Sequence, residues 1–150
     1  MGEPPRTHRV AVAAYVFHDD KMLLLRRAHS PQTFAPPGGR LTPEEDPIAG
    51  LHREIREETG LAVRVLGVAH VWYGSVDDVQ PPLLCVNFVA ESASADVRLS
   101  EEHTEFEWVT REQIKRGEVK MQTLAGYGYR LSGLLDGFDR YRMFRVLPKG

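Results

Sequence analysis

The sequence predicts an α/β (α+β) chain in which helices flank a mixed central sheet. Two observations carry this. Runs rich in Val, Leu and aromatic residues recur at 8–17, 21–27, 62–72, 83–90 and 106–109, separated by Gly, Pro, Asp and Ser. Among them lie two stretches whose apolar residues repeat at helical spacing, 47–59 and 121–135. The 150 residues suffice for a real core, and a single domain over 1–150 is expected. An apolar content of 42% and a charged content of 27% are ordinary for a globular chain. The formal net charge of −2 gives no general pull toward nucleic acid or anionic membrane. No run approaches the ~18 apolar residues of a membrane span, and the opening MGEPPRTHR lacks the apolar centre of a secretory leader. A cytoplasmic location is therefore expected. Cys85 is the only cysteine, so there is no intrachain disulfide, and its apolar neighbours predict a buried, inert thiol.

The chain begins with a buried strand at 8–17 (HRVAVAAYVF). His18, Asp19 and Asp20 turn it into a second strand at 21–27 (KMLLLRR), so the two are expected to form a hairpin. Arg26 and Arg27 end that strand on opposite faces. Solvation at a strand end accounts for either of them, and Arg27 is favoured for a phosphate contact. A polar loop at 28–33 leads into FAPPGGRL at 34–41. There two prolines extend the backbone, and two glycines permit a tight turn and a close approach to a ligand; placed directly before an acidic stretch, they are expected to supply backbone carbonyl or N–H groups to a site. Arg40 is placed to meet a phosphate or to pair with Glu44 or Glu45.

The next stretch carries the chemistry. Asp46 is a good N-cap, Pro47 suits the first helical position, and Gly60 suits the left-handed residue that closes a helix, which predicts a helix over 47–59. At ~100° per residue, Ile48, Leu51, Ile55 and Thr59 form one apolar stripe. Glu54, Glu57 and Glu58, at i, i+3 and i+4, share another face. Carboxylates at that density repel one another unless something positive neutralises them. Arg53 stands one helical turn before Glu57 and can hold it. Oxygen-only ligands on one face suit Mg²⁺ or Mn²⁺ and not zinc.

After this helix come a strand at 62–72 with Gly67 as a possible bulge, a loop at 73–82, a strand at 83–90 and a polar turn. The acidic loop 101–105 precedes a short strand at 106–109. Thr110 and Gln113 form a capping box that opens a short helix. The helical candidate at 121–135 is weakened by Gly126, Gly128 and Gly133; Leu124, Tyr127, Leu131, Leu134 and Leu135 would be its packing face. The basic, aromatic end at 139–150 reads as a C-terminal strand or a dimer contact. A monomer or a homodimer is expected.

Gly39, Glu45, Arg53, Glu54, Ile55, Glu57, Glu58, Gly60 and Leu61 stand at fixed intervals: Gly, five residues, Glu, seven residues, Arg-Glu, an apolar residue, one residue, Glu-Glu, one residue, Gly, an apolar residue. The run 39–61 resembles the Nudix box, the signature of the Nudix (MutT-like) hydrolases, and fills every specified position. A solvated acidic helix with ion pairs explains Arg53 beside Glu57 but not the rest of the register. The resemblance implies a Nudix-type α/β/α sandwich and hydrolysis of a diphosphate linkage in a nucleoside diphosphate joined to another group. It implies Glu57 and Glu58 as the first metal ligands, with Glu54 sharing ligation and the carbonyl of Gly38 as a further ligand. Arg53 would orient a carboxylate, with Glu45 supporting Arg53.

The family often places one more Glu shortly before a Trp, as metal ligand or base. Glu102 matches best against Trp108, with Glu105 second, so Glu54 and Glu102 are both candidate general bases. His103 reads as a loop residue or a support rather than a ligand. Markers that accompany NADH, coenzyme A, ADP-ribose and diadenosine-polyphosphate enzymes are absent, which leaves nucleoside triphosphates or nucleotide sugars. Phe34, Trp72 and Tyr73 are candidates for base stacking. The alternative is a non-catalytic nucleotide-binding regulatory module on the same fold, which the full acidic face disfavours. A nucleic-acid-binding role would rest on the arginines after Asp139 alone.

Overall fold

The computed structural model describes residues 2, 5–122 and 126–146. The first strand, β1 (Val10–His18), and the second, β2 (Lys21–Arg27), form the expected antiparallel hairpin. Its two turn residues, Asp19 and Asp20, both adopt left-handed backbone (φ 50° and 61°), the conformation that matches strand twist in a two-residue hairpin.

The hairpin does not stay zipped. β1 and β2 pair only at Phe17 with Met22 and His18 with Lys21. Beyond that point each strand takes a new partner on the same edge. β3 (Phe34–Ala35) pairs with Leu25 and Arg26 of β2, while β4 (Gly38–Arg40) pairs with Ala11 to Ala13 of β1. The segment expected to be extended and then to turn at its glycines is therefore two short strands lining a fork in the sheet. Helix α1 (Pro47–Thr59) follows with the predicted ends: Asp46 accepts from the Ala49 N–H, and Gly60 is left-handed at φ 74°.

β5 (Val63–Gly74) and β6 (Leu83–Ser92) are antiparallel, with β5 at the sheet edge and β6 running parallel to β1. The ladder shifts between Val65 and Gly67, a bulge at the expected place, and again between Val68 and His70. β7 (His103–Val109) covers the far edge of β2. It begins three residues earlier than expected, because Arg26 and Arg27 pair with Glu105 and His103. The capping box at Thr110 opens α2 (Arg111–Lys115), with both reciprocal bonds formed. The last helix is α3 (Leu131–Val146).

That last helix corrects two expectations. Helical structure starts at Leu131, not at 121, because Gly126 and Gly128 take left-handed backbone ahead of it (φ 88° and 117°). It then runs through the stretch expected to be a strand or dimer contact. Leu124 and residues 147–150 lie outside the described residues. The reason for the helix is packing. Phe138 and Tyr141, three residues apart, reach the same ring of β1: Phe17 meets Phe138 edge-on at 5.1 Å and stacks on Tyr141 at 4.1 Å.

Strand alternation builds two apolar layers. Val12, Ala14 and Val16 of β1, with Leu23 and Leu25 of β2, face Leu51 and Ile55 of α1. Tyr15, Phe17, Met22 and Leu24 face Ile114 of α2 and Leu134, Phe138 and Tyr141 of α3. The mixed sheet is thus flanked by helices on both faces, as expected. Ile48, placed on the inward stripe, is instead 40% exposed, like its neighbours Pro47 and Ala49, and the buried stretch of α1 begins at Gly50 and Leu51. Cys85 is buried, and burial pushes its thiol up to about 11. Among the described residues no helix is long and apolar enough to cross a membrane. Replacing Tyr141 with Ala is expected to cost about 2–4 kcal/mol of stability. The check is urea unfolding, which should show a lower midpoint at unchanged slope.

Candidate active site

The fork between β1 and β2 sets β4 against α1. In the ladder between β1 and β4, Ala14 donates to the Pro37 carbonyl and Leu41 donates to the Val10 carbonyl. Antiparallel alternation then leaves the backbone groups of Gly38 facing away from β1. The Gly38 N–H donates to Glu58 Oε2 at 3.1 Å. Neither Gly38 nor Gly39 has left-handed backbone, so turning is not their role. Close approach is. A Cβ on Gly38 would collide with the Val12 carbonyl, and one on Gly39 would lie 2.6 Å from the Glu54 carboxyl. Gly39→Ala is therefore expected to displace Glu54 and lower kcat by about 10²-fold, the cost of a misplaced reacting group. Steady-state kinetics beside a melting curve would separate this from unfolding.

Arg53 organises the carboxylates of α1 and the loop before it. Its Nε donates to Glu45 Oε2 at 2.7 Å and one Nη to Glu45 Oε1 at 2.9 Å, a bidentate pair. The other Nη donates to Glu54 at 3.0 Å and to Glu57 at 3.2 Å. Hydrogen bonding from Arg53 holds the Glu45 carboxyl down at about 2. The three glutamates of the helix are not equivalent. Glu57 is turned outward, with its side chain 60% exposed, whereas Glu58 is 4% exposed. Burial, with the charges of Glu54 and Glu102, pushes the Glu58 carboxyl up to about 8 against the pull of the Gly38 N–H. Burial also raises Glu54, opposed by Arg53.

β7 supplies the other side. Glu102 sits in the turn that enters it, tied to the end of β2 by a 2.9 Å bond from the Ala28 N–H to the Glu102 carbonyl. Ligand atoms of Glu58, Glu102 and His103 all lie within 4.8 Å of one another. Glu105 is held elsewhere, paired with Arg26 at 3.1 Å.

The structure thus brings together Gly38, Gly39, Arg53, Glu54, Glu58 and Glu102, with Glu45 behind Arg53 and Glu57 on the rim. Arg27, opposite His103 across the ladder, makes no ion pair among the described residues. Of the two roles offered for Arg40, the pair with Glu44 or Glu45 does not form, because Glu44 pairs with Arg6 and Glu45 with Arg53. Phe34 is buried, and Trp72 and Tyr73 are exposed on the edge strand β5.

Two features escaped the sequence reading. His103 joins the carboxylates because β7 starts early, and its Nδ1 is buried without a hydrogen-bond partner. Tyr129 donates to Asn87 at 2.8 Å, and its phenol is raised well above its usual range, chiefly by burial, with the Glu58 charge a minor contribution. The pairing of Arg27 with His103 would have shown the first. Nothing local marks the second.

Residues 7–125 match the family model described as the NUDIX domain. A MutT-like protein of Streptomyces ambofaciens is 30% identical over 133 residues, 89% of this chain and 80% of that protein. An ADP-ribose pyrophosphatase of Methanocaldococcus jannaschii is 29% identical over 101 residues, 66% of this chain and 60% of that relative. Among solved structures, the MutT protein of Methanosarcina mazei Go1 superposes with a TM-score of 0.68 at 25% identity, covering 97% of this chain and all of that one.

Proposed function

The chain belongs to the Nudix hydrolase family, and from that premise we propose that it hydrolyses a diphosphate linkage in a nucleoside diphosphate joined to another group, using Mg²⁺ or Mn²⁺. The observation that carries this reading is the convergence of Glu54, Glu58 and Glu102 beside the Gly38–Gly39 backbone. Burial raises the proton affinity of Glu58 and Glu54, the exposed Glu102 carboxyl stands beside them, and a small divalent cation suits such a group of carboxylates. The donors fit such an ion. Glu58 and Glu102, with Glu54, the outward Glu57 and the Gly38 carbonyl, would hold it. When bound, the ion neutralises phosphoryl oxygens and makes a bound water easier to deprotonate.

The chain's own residues do the rest. The Gly38 N–H fixes one oxygen of Glu58. Arg53 fixes one oxygen of Glu54, leaving the other to take a proton from water, and burial makes that carboxylate a better base than an exposed one. Glu102 is the second candidate for that proton. Arg27 and Arg40 are the substrate contacts, each a guanidinium free to pair with phosphate. We take the protein to be a single domain acting in the cytoplasm as a monomer or homodimer. The ADP-ribose pyrophosphatase among its relatives shows one substrate class of the family. The proline that marks ADP-ribose enzymes is absent here, which favours a nucleoside triphosphate or a nucleotide sugar.

The test is product release from a panel of both classes and dinucleotides, with each product identified by mass. Metal-dependent cleavage of at least one compound is expected. Tight nucleotide binding without cleavage across the panel would instead select the regulatory-module reading.

A further inference from the structure

We infer that His103 is a nitrogen ligand of the cation held by Glu58 and Glu102, which biases this site toward Mn²⁺ over Mg²⁺. The inference rests on the hydrolase reading above and deepens it. Three observations carry it. His103 lies opposite Arg27 where the ladder between β2 and β7 shifts register, and such irregularities re-aim side chains. One of its ring nitrogens falls within 4.8 Å of a ligand oxygen on both Glu58 and Glu102. Opposed ligands on a small divalent ion stand ~4.2 Å apart, so a short side-chain adjustment closes the set. Finally, its Nδ1 is buried with no hydrogen-bond partner, although buried polar atoms are nearly always satisfied.

A ring flip or rotation that brings this nitrogen into the cluster lets a neutral imidazole satisfy it by binding a metal. Mg²⁺ prefers oxygen throughout, whereas Mn²⁺ accepts imidazole more readily. A phosphate oxygen of the substrate is the competing partner for this nitrogen, with Arg27 beside it. Measuring without substrate separates the two.

The experiment is pulsed EPR on the Mn²⁺-loaded full chain, with Mn²⁺ and Mg²⁺ affinities measured by calorimetry for wild type and His103→Gln. The expected result is a ¹⁴N coupling typical of directly bound imidazole in wild type and its loss in the variant. Mn²⁺ affinity should fall about tenfold in His103→Gln, with Mg²⁺ affinity changed by less than about threefold. Mn²⁺ bound without ¹⁴N coupling in wild type overturns the inference and leaves the carboxylate site standing. The wild-type spectrum decides this even if the variant fails to fold. A folded wild type that binds neither ion overturns the metal-dependent reading, and the role of His103 with it.

Discussion

Glu58→Gln is expected to lower kcat by about 10²–10³-fold, the scale of losing several kcal/mol of charge stabilisation in the transition state. The same change should make the metal-free protein more stable at pH 8 than wild type. The second effect comes from burial. Glu58 is the most enclosed carboxyl of the site, with Glu54 and Glu102 nearby. Its folded pKa, about 8, stands above its ordinary 4.5. Below pH 4.5 it is protonated in both folded and unfolded chains and contributes nothing. Between 4.5 and about 8 the folded chain retains a proton that the unfolded chain has released, so each step up in pH favours unfolding. Above about 8 the penalty is complete. Wild-type stability without metal should therefore fall across that window, and Glu58→Gln should flatten the fall. Denaturation at pH 5, 6.5 and 8 in chelator measures it. A variant less stable than wild type at pH 8 would mean that Glu58 holds the fold together rather than loading it with charge.

The second large effect is expected at Arg53. Arg53→Lys should lower kcat by about 10²-fold, although charge is conserved. One guanidinium now serves Glu45, Glu54 and Glu57, and a single ammonium cannot reproduce the bidentate pair with Glu45 and the reach to Glu54 together. Glu45 also accepts from the Thr42 N–H at 3.0 Å, but it reaches the site through Arg53, so the losses should not add. Arg53→Lys combined with Glu45→Gln should be little worse than Arg53→Lys alone. Additive losses in that double-mutant cycle would show that Glu45 has a separate task, and an unchanged kcat in Arg53→Lys would remove Arg53 from the account.

The parts of this arrangement that were legible beforehand are local ones. Asp46, Pro47 and Gly60 set the ends of α1 through bonds within a few residues, and the turn at Asp19–Asp20 joined its two strands in the same way. Contacts between distant segments were not legible. The opening of the β1–β2 hairpin depends on β3 and β4, too short to announce themselves as strands. The glycines at 38 and 39 were expected to offer backbone groups to the site, and the Gly38 N–H does so, but nothing in the sequence shows that Val12 and Glu54 lie close against them. Helical spacing put Glu54, Glu57 and Glu58 on one face, yet a face is wider than the buried seam, and Glu57 fell on its solvent side. The stretch after 139 looked basic and unpaired until Phe17 supplied the surface that Phe138 and Tyr141 pack on.

The central claim is that the carboxylates gathered at the fork drive cation-dependent attack of water on a diphosphate. The most direct measurement is hydrolysis in ¹⁸O-labelled water with products resolved by mass, for wild type and Glu58→Gln, in Mg²⁺, in Mn²⁺ and in chelator. Label is expected on one phosphorus-containing product of the wild-type reaction, with turnover lost in chelator and reduced at least about 10²-fold in the variant. Undiminished turnover in chelator, or in folded Glu58→Gln, would contradict it.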